Sequence, residues 1–312
     1  MVPQIVLITG CSAGIGLATA KRLALDVDQR YIVIATVIVM SEKAELVATV
    51  GDALDKTVFI RELDVTNDTN ISDVVRDVIR VQGRIDILIN VAGLAFNEIP
   101  ERVTREQIDK LFNVNTIGPI RLAQAVLPHM KERQAGKIVT VSSDMSRQAW
   151  PYFDIYSATK FGVEGFFEAL AASVRAFNIR VCLVEPGPIA TGLLGGLQND
   201  MKRLMNDETV NEIDHRQLVG LNRDVSDMDK TRSAEDVAVD LTTRCLDVDE
   251  PVLRHLLLED VAVDLTTRCL DVDEPVLRHL LLEDKFMKEA TEVLADLTGE
   301  RGVAFMRQQL GH

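Results

Sequence analysis

Six uninterrupted apolar runs constrain this chain more than any other feature: Ile5–Ile8, Tyr31–Met40, Val58–Leu63, Ile85–Ile89, Lys137–Ser142 and Arg180–Val184, separated by segments of helical length. A strand wetted on one face alternates apolar and polar residues. These runs do not, so both faces are buried, as in a mainly parallel sheet covered by helices. At 312 residues, 47% of them hydrophobic, the chain can bury one large core, and α/β folds of this length often stay undivided. The expectation is an α/β single domain over residues 1–312, a doubly wound parallel sheet with helices on both faces. Ligands of such sheets sit at the carboxyl ends of the strands, where the strand order reverses.

The first run leads into Thr9-Gly10-Cys11-Ser12-Ala13-Gly14-Ile15-Gly16 and then a helical Leu17–Leu23. Glycines let the backbone turn tightly and approach a pyrophosphate, while the following helix offers unpaired amides and the positive end of its dipole. A ligand-free glycine turn ranks below dinucleotide binding here, because a strand precedes the turn and a helix follows it. Further along, Tyr156 and Lys160 stand four apart in a helical stretch and project from one face. A free phenol titrates near ~10, and a fixed ammonium beside it favours the phenolate. An amphipathic face is the bland reading of that pair. Ser143 upstream and the glycine turn lift it above that.

The G-x-x-x-G-x-G spacing resembles the short-chain dehydrogenase/reductase family, a Rossmann-like fold. Asn90-Val91-Ala92-Gly93, Asn115, the Ser143/Tyr156/Lys160 spacing and Pro186-Gly187-Pro188-Ile189-Ala190-Thr191 extend the resemblance in the family's order. Leu7–Leu17, Phe153–Phe161 and Val184–Pro188 are most similar to the branch that holds type 1 17β-hydroxysteroid dehydrogenases and photoreceptor retinol dehydrogenases. The resemblance implies catalytic roles for Asn115, Ser143, Tyr156 and Lys160: Tyr156 as proton donor or acceptor, Ser143 on the substrate oxygen, Lys160 lowering the tyrosine pKa and holding the nicotinamide ribose, and Asn115 positioning a water. It implies cofactor contacts at Thr9, Gly10, Ser12, Gly14, Ile15 and Gly16 of the first turn and at Asp64, Asn90, Ala92 and Gly93. Tyr156 and Lys160 share in that binding, as do Pro186, Gly187, Ile189 and Thr191 of the last turn. Substrate contacts would fall to Ser143, Tyr156 and His215, although a solvated loop histidine is the plainer reading of the last. It also implies a homodimer through the helices carrying Asn115 and Tyr156, and NADP(H) ahead of NAD(H). Ile38-Val39, however, stand where that branch has Arg-Asp, so the usual acid for a ribose 2′-hydroxyl and the usual arginine for a 2′-phosphate are both missing. Lys43 could reach an adenosine phosphate, and reads more plainly as a solvated lysine.

A formal charge of −14 argues against nucleic acid or an anionic membrane as partner. Cys11, Cys182, Cys245 and Cys269 show neither a disulfide framework nor metal-ligand spacing, which suggests reduced thiols, no metal and a cytoplasmic setting. Met1-Val2-Pro3-Gln4 carries no basic leader, and Tyr31–Met40 is half the ~20 residues needed to cross a bilayer.

Thr104-Arg105-Glu106-Gln107 reads as a capping box. Residues 192–231 show weak periodicity and read as an irregular substrate-covering loop, while Met145, Trp150, Tyr152 and Phe153 could line an apolar pocket or pack in the core. Glu235–Asp260 recurs unchanged as Glu259–Asp284, a helix–strand unit opened by a second capping box at Ser233–Asp236. One copy resembles the family's last helix and edge strand. The other would form a further parallel strand or, the preferred reading, a helical excursion. The function expected is an NAD(P)-dependent oxidoreductase interconverting a lipophilic alcohol and its carbonyl, with 17β-hydroxysteroid dehydrogenase-like activity ahead of retinol dehydrogenase activity. The alternative from another class is a non-catalytic dinucleotide sensor or scaffold.

Overall fold

In the computed structural model the six apolar runs become the first six strands of a seven-stranded, all-parallel sheet of order β3-β2-β1-β4-β5-β6-β7, five of them inner and β3 at one edge. The residues described are 2–226, 231–248 and 254–257, all within the compact unit Met1–Val263. In chain order the first half comprises β1 (Gln4–Ile8), α1 (Gly14–Ala24), β2 (Tyr31–Val37), α2 (Ala44–Val50), β3 (Val58–Glu62), α3 (Asp68–Gln82) and β4 (Ile87–Asn90). Then come α4 (Arg105–Phe112), α5 (Gly118–Arg133), β5 (Gly136–Val141), α6 (Asp154–Val174) and β6 (Ile179–Pro186). The chain continues through α7 (Gly192–Met205), α8 (Glu212–Ser226), α9 (Ala234–Leu241) and β7 (Arg254–Leu257).

Burial explains why the strands do not alternate. Val6 and Ile8 of β1 enter the core layer formed with α1, α2 and α9, while Ile5 and Leu7 enter the opposite layer with α3, α5 and α6. The strand order reverses between β1 and β4, which pair in parallel with Ile8 opposite Ile89. Their carboxyl ends therefore define the switch-point crevice.

Local signals set several helix ends. Thr104 and Gln107 form the expected reciprocal cap of α4, Ser233 and Asp236 that of α9, and the Asn67 side chain caps α3. A π-turn at Asn113–Ile117 joins α4 to α5.

Two expectations are modified. The second strand stops at Val37, because its neighbour β3 stops at Glu62. Ile38 and Val39 turn into solvent, and the Glu62 carboxylate accepts the Met40 amide at 2.9 Å. Residues 192–226 are helical rather than irregular. Their order comes from distant groups: Arg102 donates to Asp207 and to the Thr209 carbonyl at 2.7 Å each, and the Tyr152 hydroxyl lies 3.0 Å from Asp214 and 2.8 Å from Gln217. The first copy of the repeat supplies α9, a π-turn over Thr242–Leu246 and β7, which pairs in parallel with β6. The second copy, with Cys269, lies outside the described residues. Cys11, Cys182 and Cys245 are buried thiols, no group of metal-binding side chains occurs among the described residues, and no described helix is long and apolar enough to cross a membrane.

Asp86 fastens the amino ends of the central strands β1 and β4, opposite the switch-point crevice. Its carboxylate accepts from the Ile5 amide at 2.8 Å, Arg84 Nε at 2.7 Å and Arg133 Nη2 at 2.7 Å. Burial pushes this carboxyl up, but the bonds from Arg84, Ile5 and Arg133 together hold it below the ordinary value. A depressed folded-state pKa stabilises above the unfolded value of ~3.9, and that contribution disappears as pH falls through the folded value. Asp86→Asn is therefore expected to lower urea stability by about 1–3 kcal/mol at neutral pH, with the difference from wild type shrinking in titrations carried to acid pH.

Candidate active site

One cavity of about 880 Å³ runs along the carboxyl ends of the strands, from the glycine turn after β1 to the first residues of α7. At one end Gly10 and Gly14 hold φ of +69° and +57°. A Cβ on Gly10 would stand 2.9 Å from the Ala92 backbone, and one on Gly16 only 2.2 Å from the Gly10 carbonyl oxygen. The turn is therefore closed to any side chain. Ala13 precedes α1 without a side-chain cap, and the first helical turn has no acid. Its free amides and dipole end thus face the cavity with nothing of the protein's own to neutralise them. A cradle of this shape fits a dinucleotide pyrophosphate.

The other end is built on β5 and α6. Ser143 follows β5 directly. Its Oγ accepts from the Met145 amide at 3.2 Å and donates to Asp144 Oδ1 at 2.9 Å. Tyr156 and Lys160 lie one turn apart on α6, both buried, with Lys160 Nζ 5.6 Å from the centre of the tyrosine ring and donating to the Val141 carbonyl at 3.2 Å. Tyr156 is also hydrogen-bonded to Ser143. Burial raises the Tyr156 hydroxyl to about 12 despite the Ser143 bond, and lowers Lys160 to about 8 although Glu164 opposes this. Sequence spacing implied a tyrosine lowered by its lysine. In the protein alone the loss of hydration decides, with the Asp144 charge adding to the rise, and the phenol holds its proton.

Among the cofactor candidates, Gly10, Ser12, Gly14, Ile15 and Gly16 line the cavity, as do Asp64, Ala92 and Gly93. So do Pro186, Gly187, Ile189 and Thr191, together with Ser143, Tyr156 and Lys160. Thr9, Asn90 and Asn115 stand behind the wall. The Thr9 hydroxyl accepts the amides of Val91 at 2.9 Å and Ala92 at 3.0 Å, and Asn90 donates to Thr140 at 3.1 Å. Asn115, in the π-turn, grips Leu94 through both its amide and its carbonyl at 2.8 Å and donates to Thr159 at 3.1 Å. The structure does not bring His215 to the cavity. It is exposed on α8, with Nε2 3.0 Å from the Met205 carbonyl. Of the four candidate pocket residues, Met145, Trp150 and Phe153 reach the wall, whereas Tyr152 bonds to α8.

The model of the short chain dehydrogenase family matches residues 4–202, the stretch that carries all of this apart from His215. The chain belongs to that family.

Its curated relatives include human retinol dehydrogenase 8, 42% identical over 195 residues (62% of each chain), and human 17-beta-hydroxysteroid dehydrogenase type 1, 34% identical over 200 residues (62% of this chain, 59% of that one). The match thus spans under two-thirds of these relatives' length. Among solved structures, a short-chain dehydrogenase of Streptomyces avermitilis is 31% identical with a TM-score of 0.70, covering 92% of this chain and 99% of that one.

This short-chain dehydrogenase also places on the cavity wall polar residues that motif reading missed, among them Glu42, Asn97 and Asp144. Asp144 carried a signal, an acid directly after the serine in an otherwise apolar strand end. Glu42 and Asn97 carried none, since the turns that present them are set by tertiary contacts. In this short-chain dehydrogenase Gly16→Ala is expected to abolish dinucleotide binding in a calorimetric titration and to lower the thermal midpoint, because the methyl would meet backbone rather than a movable side chain.

Proposed function

We propose that the protein is a nicotinamide-nucleotide-dependent oxidoreductase that interconverts a lipophilic alcohol and its carbonyl. The observation that carries this is the opening of Ser143, Tyr156 and Lys160 into the same cavity as the glycine turn. When bound, the nicotinamide accepts or supplies the hydride. The chain's own residues handle the proton and the oxygen. A protonated Tyr156 is the form needed to give a proton to a carbonyl oxygen on reduction, and in oxidation the same oxygen takes the alcohol proton. Ser143 would hydrogen-bond the reacting oxygen, and Lys160, largely charged at neutral pH, would hold the nicotinamide ribose. Asn115 contributes by fixing the loop after β4 against α6.

Leu94, Met145, Trp150, Phe153, Leu197 and Met201 form an apolar wall beyond Ser143, which supports a lipophilic substrate. The relatives' names favour a retinoid or a steroid. The higher identity to a retinol dehydrogenase gives the retinoid version its support, and turnover of retinal against estrone separates the two. Ile117 and Phe161, apolar and half exposed on the helices named for pairing, support a homodimer.

The adenosine end supports NAD(H) over the NADP(H) that the branch resemblance implies. Ile38 and Glu42 form the wall beyond β2, Lys43 does not reach it, and the Met40 amide, a ready phosphate donor, is already held by Glu62. A carboxylate there can accept a ribose 2′-hydroxyl and repels a 2′-phosphate.

Two outcomes are expected. Tyr156→Phe should lose nearly all turnover while binding cofactor as wild type does; turnover like that of wild type would sink the assignment. By Trp150 fluorescence quenching NADH should bind more tightly than NADPH, and Glu42→Arg should narrow the gap by about tenfold or more. Tighter NADPH binding by the wild type would reverse the cofactor reading.

A further inference from the structure

We propose that Asp144 is a positioning residue that sets which way the Ser143 hydroxyl points, so that the serine hydrogen is offered to the substrate oxygen, alongside Tyr156, only when Asp144 carries a proton. The inference rests on the oxidoreductase reading above. Asp144 is buried on the cavity wall beside both residues, with its Oδ1 2.9 Å from Ser143 Oγ.

A serine hydroxyl has one hydrogen to donate and two lone pairs, whereas an ionised carboxylate can only accept. With Asp144 ionised, the Ser143 hydrogen goes to Asp144, and Ser143 Oγ accepts from the Met145 amide. The serine hydrogen then points away from a substrate. With Asp144 protonated, the acid donates to Ser143 Oγ instead. The serine oxygen then accepts from Asp144 and from Met145, and its hydrogen turns to the cavity. There it joins the Tyr156 hydroxyl at one oxygen, the arrangement that stabilises negative charge developing there. One proton taken up by Asp144 thus reverses the direction of the Ser143–Asp144 hydrogen bond.

Burial makes that proton available near neutrality, and the neighbouring charges only adjust it. Arg147 lies on its own turn, but its guanidinium is bound to Glu185 of β6. Tyr156, Lys160 and Glu164 face it from α6, and the Ser146 hydroxyl bonds to Glu164. Burial raises the Asp144 carboxyl to about 6, the Ser143 and Met145 bonds opposing and Glu185 adding to the rise. The group is therefore mostly ionised at pH 7.5 and mostly neutral at pH 5.

The test is kcat/KM for carbonyl reduction at saturating reduced cofactor between pH 5 and 8. Wild type should decline above about pH 6, steepening toward about tenfold per pH unit. Asp144→Asn, whose amide donates as the neutral acid does, and Asp144→Val, which cannot take the serine hydrogen, should both be flat across that range and exceed wild type at pH 8. A limb retained in either variant, or absent from wild type, overturns the proposal. Should no carbonyl be turned over, the oxidoreductase reading fails separately, and the protonated-carboxyl infrared band still decides on Asp144. Its midpoint should lie near 6 and rise further in Ser143→Ala, which loses the donor to the ionised form. A midpoint at the ordinary carboxylate value of ~3.9, or one that Ser143→Ala leaves unmoved, overturns the proposal.

Discussion

The divergence of β1 and β4 at the switch point is the constraint on which the site depends. Thr9 closes the gap there by accepting the amides of Val91 and Ala92, and Gly10 lets the two backbones approach to a distance no side chain permits. The loop so fixed carries Leu94, whose amide and carbonyl are both held by Asn115. Asn115 in turn bonds to Thr159, and Thr159 donates back to the Tyr156 carbonyl at 2.7 Å. Thr9 and Asn115 thus fix the wall of the cavity without facing it. Loosening either would move Tyr156 relative to the glycine turn, and an error of about an ångström in such placement is enough to lose rate. The π-turn at Asn113–Ile117 is what lets one helical stretch supply both the grip on Leu94 and the contact with α6. Such widened turns recur at functional sites for this reason.

Burial governs the electrostatics of the site more than pairing does. Tyr156, Lys160 and Asp144 are each displaced toward the neutral form by loss of hydration, with neighbouring charges as corrections. A protonated phenol, a lysine that still holds its charge at neutral pH and an acid near its midpoint can coexist in a space that could not carry three full charges. The −14 net charge plays no part in this, since the site's groups are shielded from the surface.

The parts legible in the sequence were those encoded locally. Uninterrupted apolar runs reported burial on both faces, the glycine spacing reported a close backbone approach, and Thr104–Gln107 and Ser233–Asp236 reported helix starts through bonds made within four residues. The unread parts depend on contacts across the fold. The two helices within residues 192–226 are steadied by Arg102 and Tyr152, far away in sequence, and no local pattern reports such contacts. The same fact withdraws His215: once α8 is a helix held at Asp214 and Gln217, its histidine turns to Met205 rather than inward. Asp144 was readable as an acid in the wrong company. Its partner could be named only once Ser143 was seen to donate to it.

The cover of the substrate end is polar on its outer seam and apolar within, which determines how it can open. Arg203 of α7 donates to the Asn97 carbonyl at 3.3 Å and to Glu98 at 3.0 Å, while Asp200 accepts the Asn97 amide at 3.3 Å. These bonds join α7 to the very loop that Thr9 and Asn115 fix. Each is long or partly exposed and so weak, whereas Leu197 and Met201 turn toward the cavity. Lifting α7 would wet that apolar lining while giving the seam's polar groups water in exchange for one another, so the hydrophobic term rather than the ion pairs sets the resistance to opening. A lipophilic ligand filling the same surface would lower the free energy of the closed state. Closure and ligand burial would then be one event, completed against a loop already fixed at its root by Thr9 and Asn115.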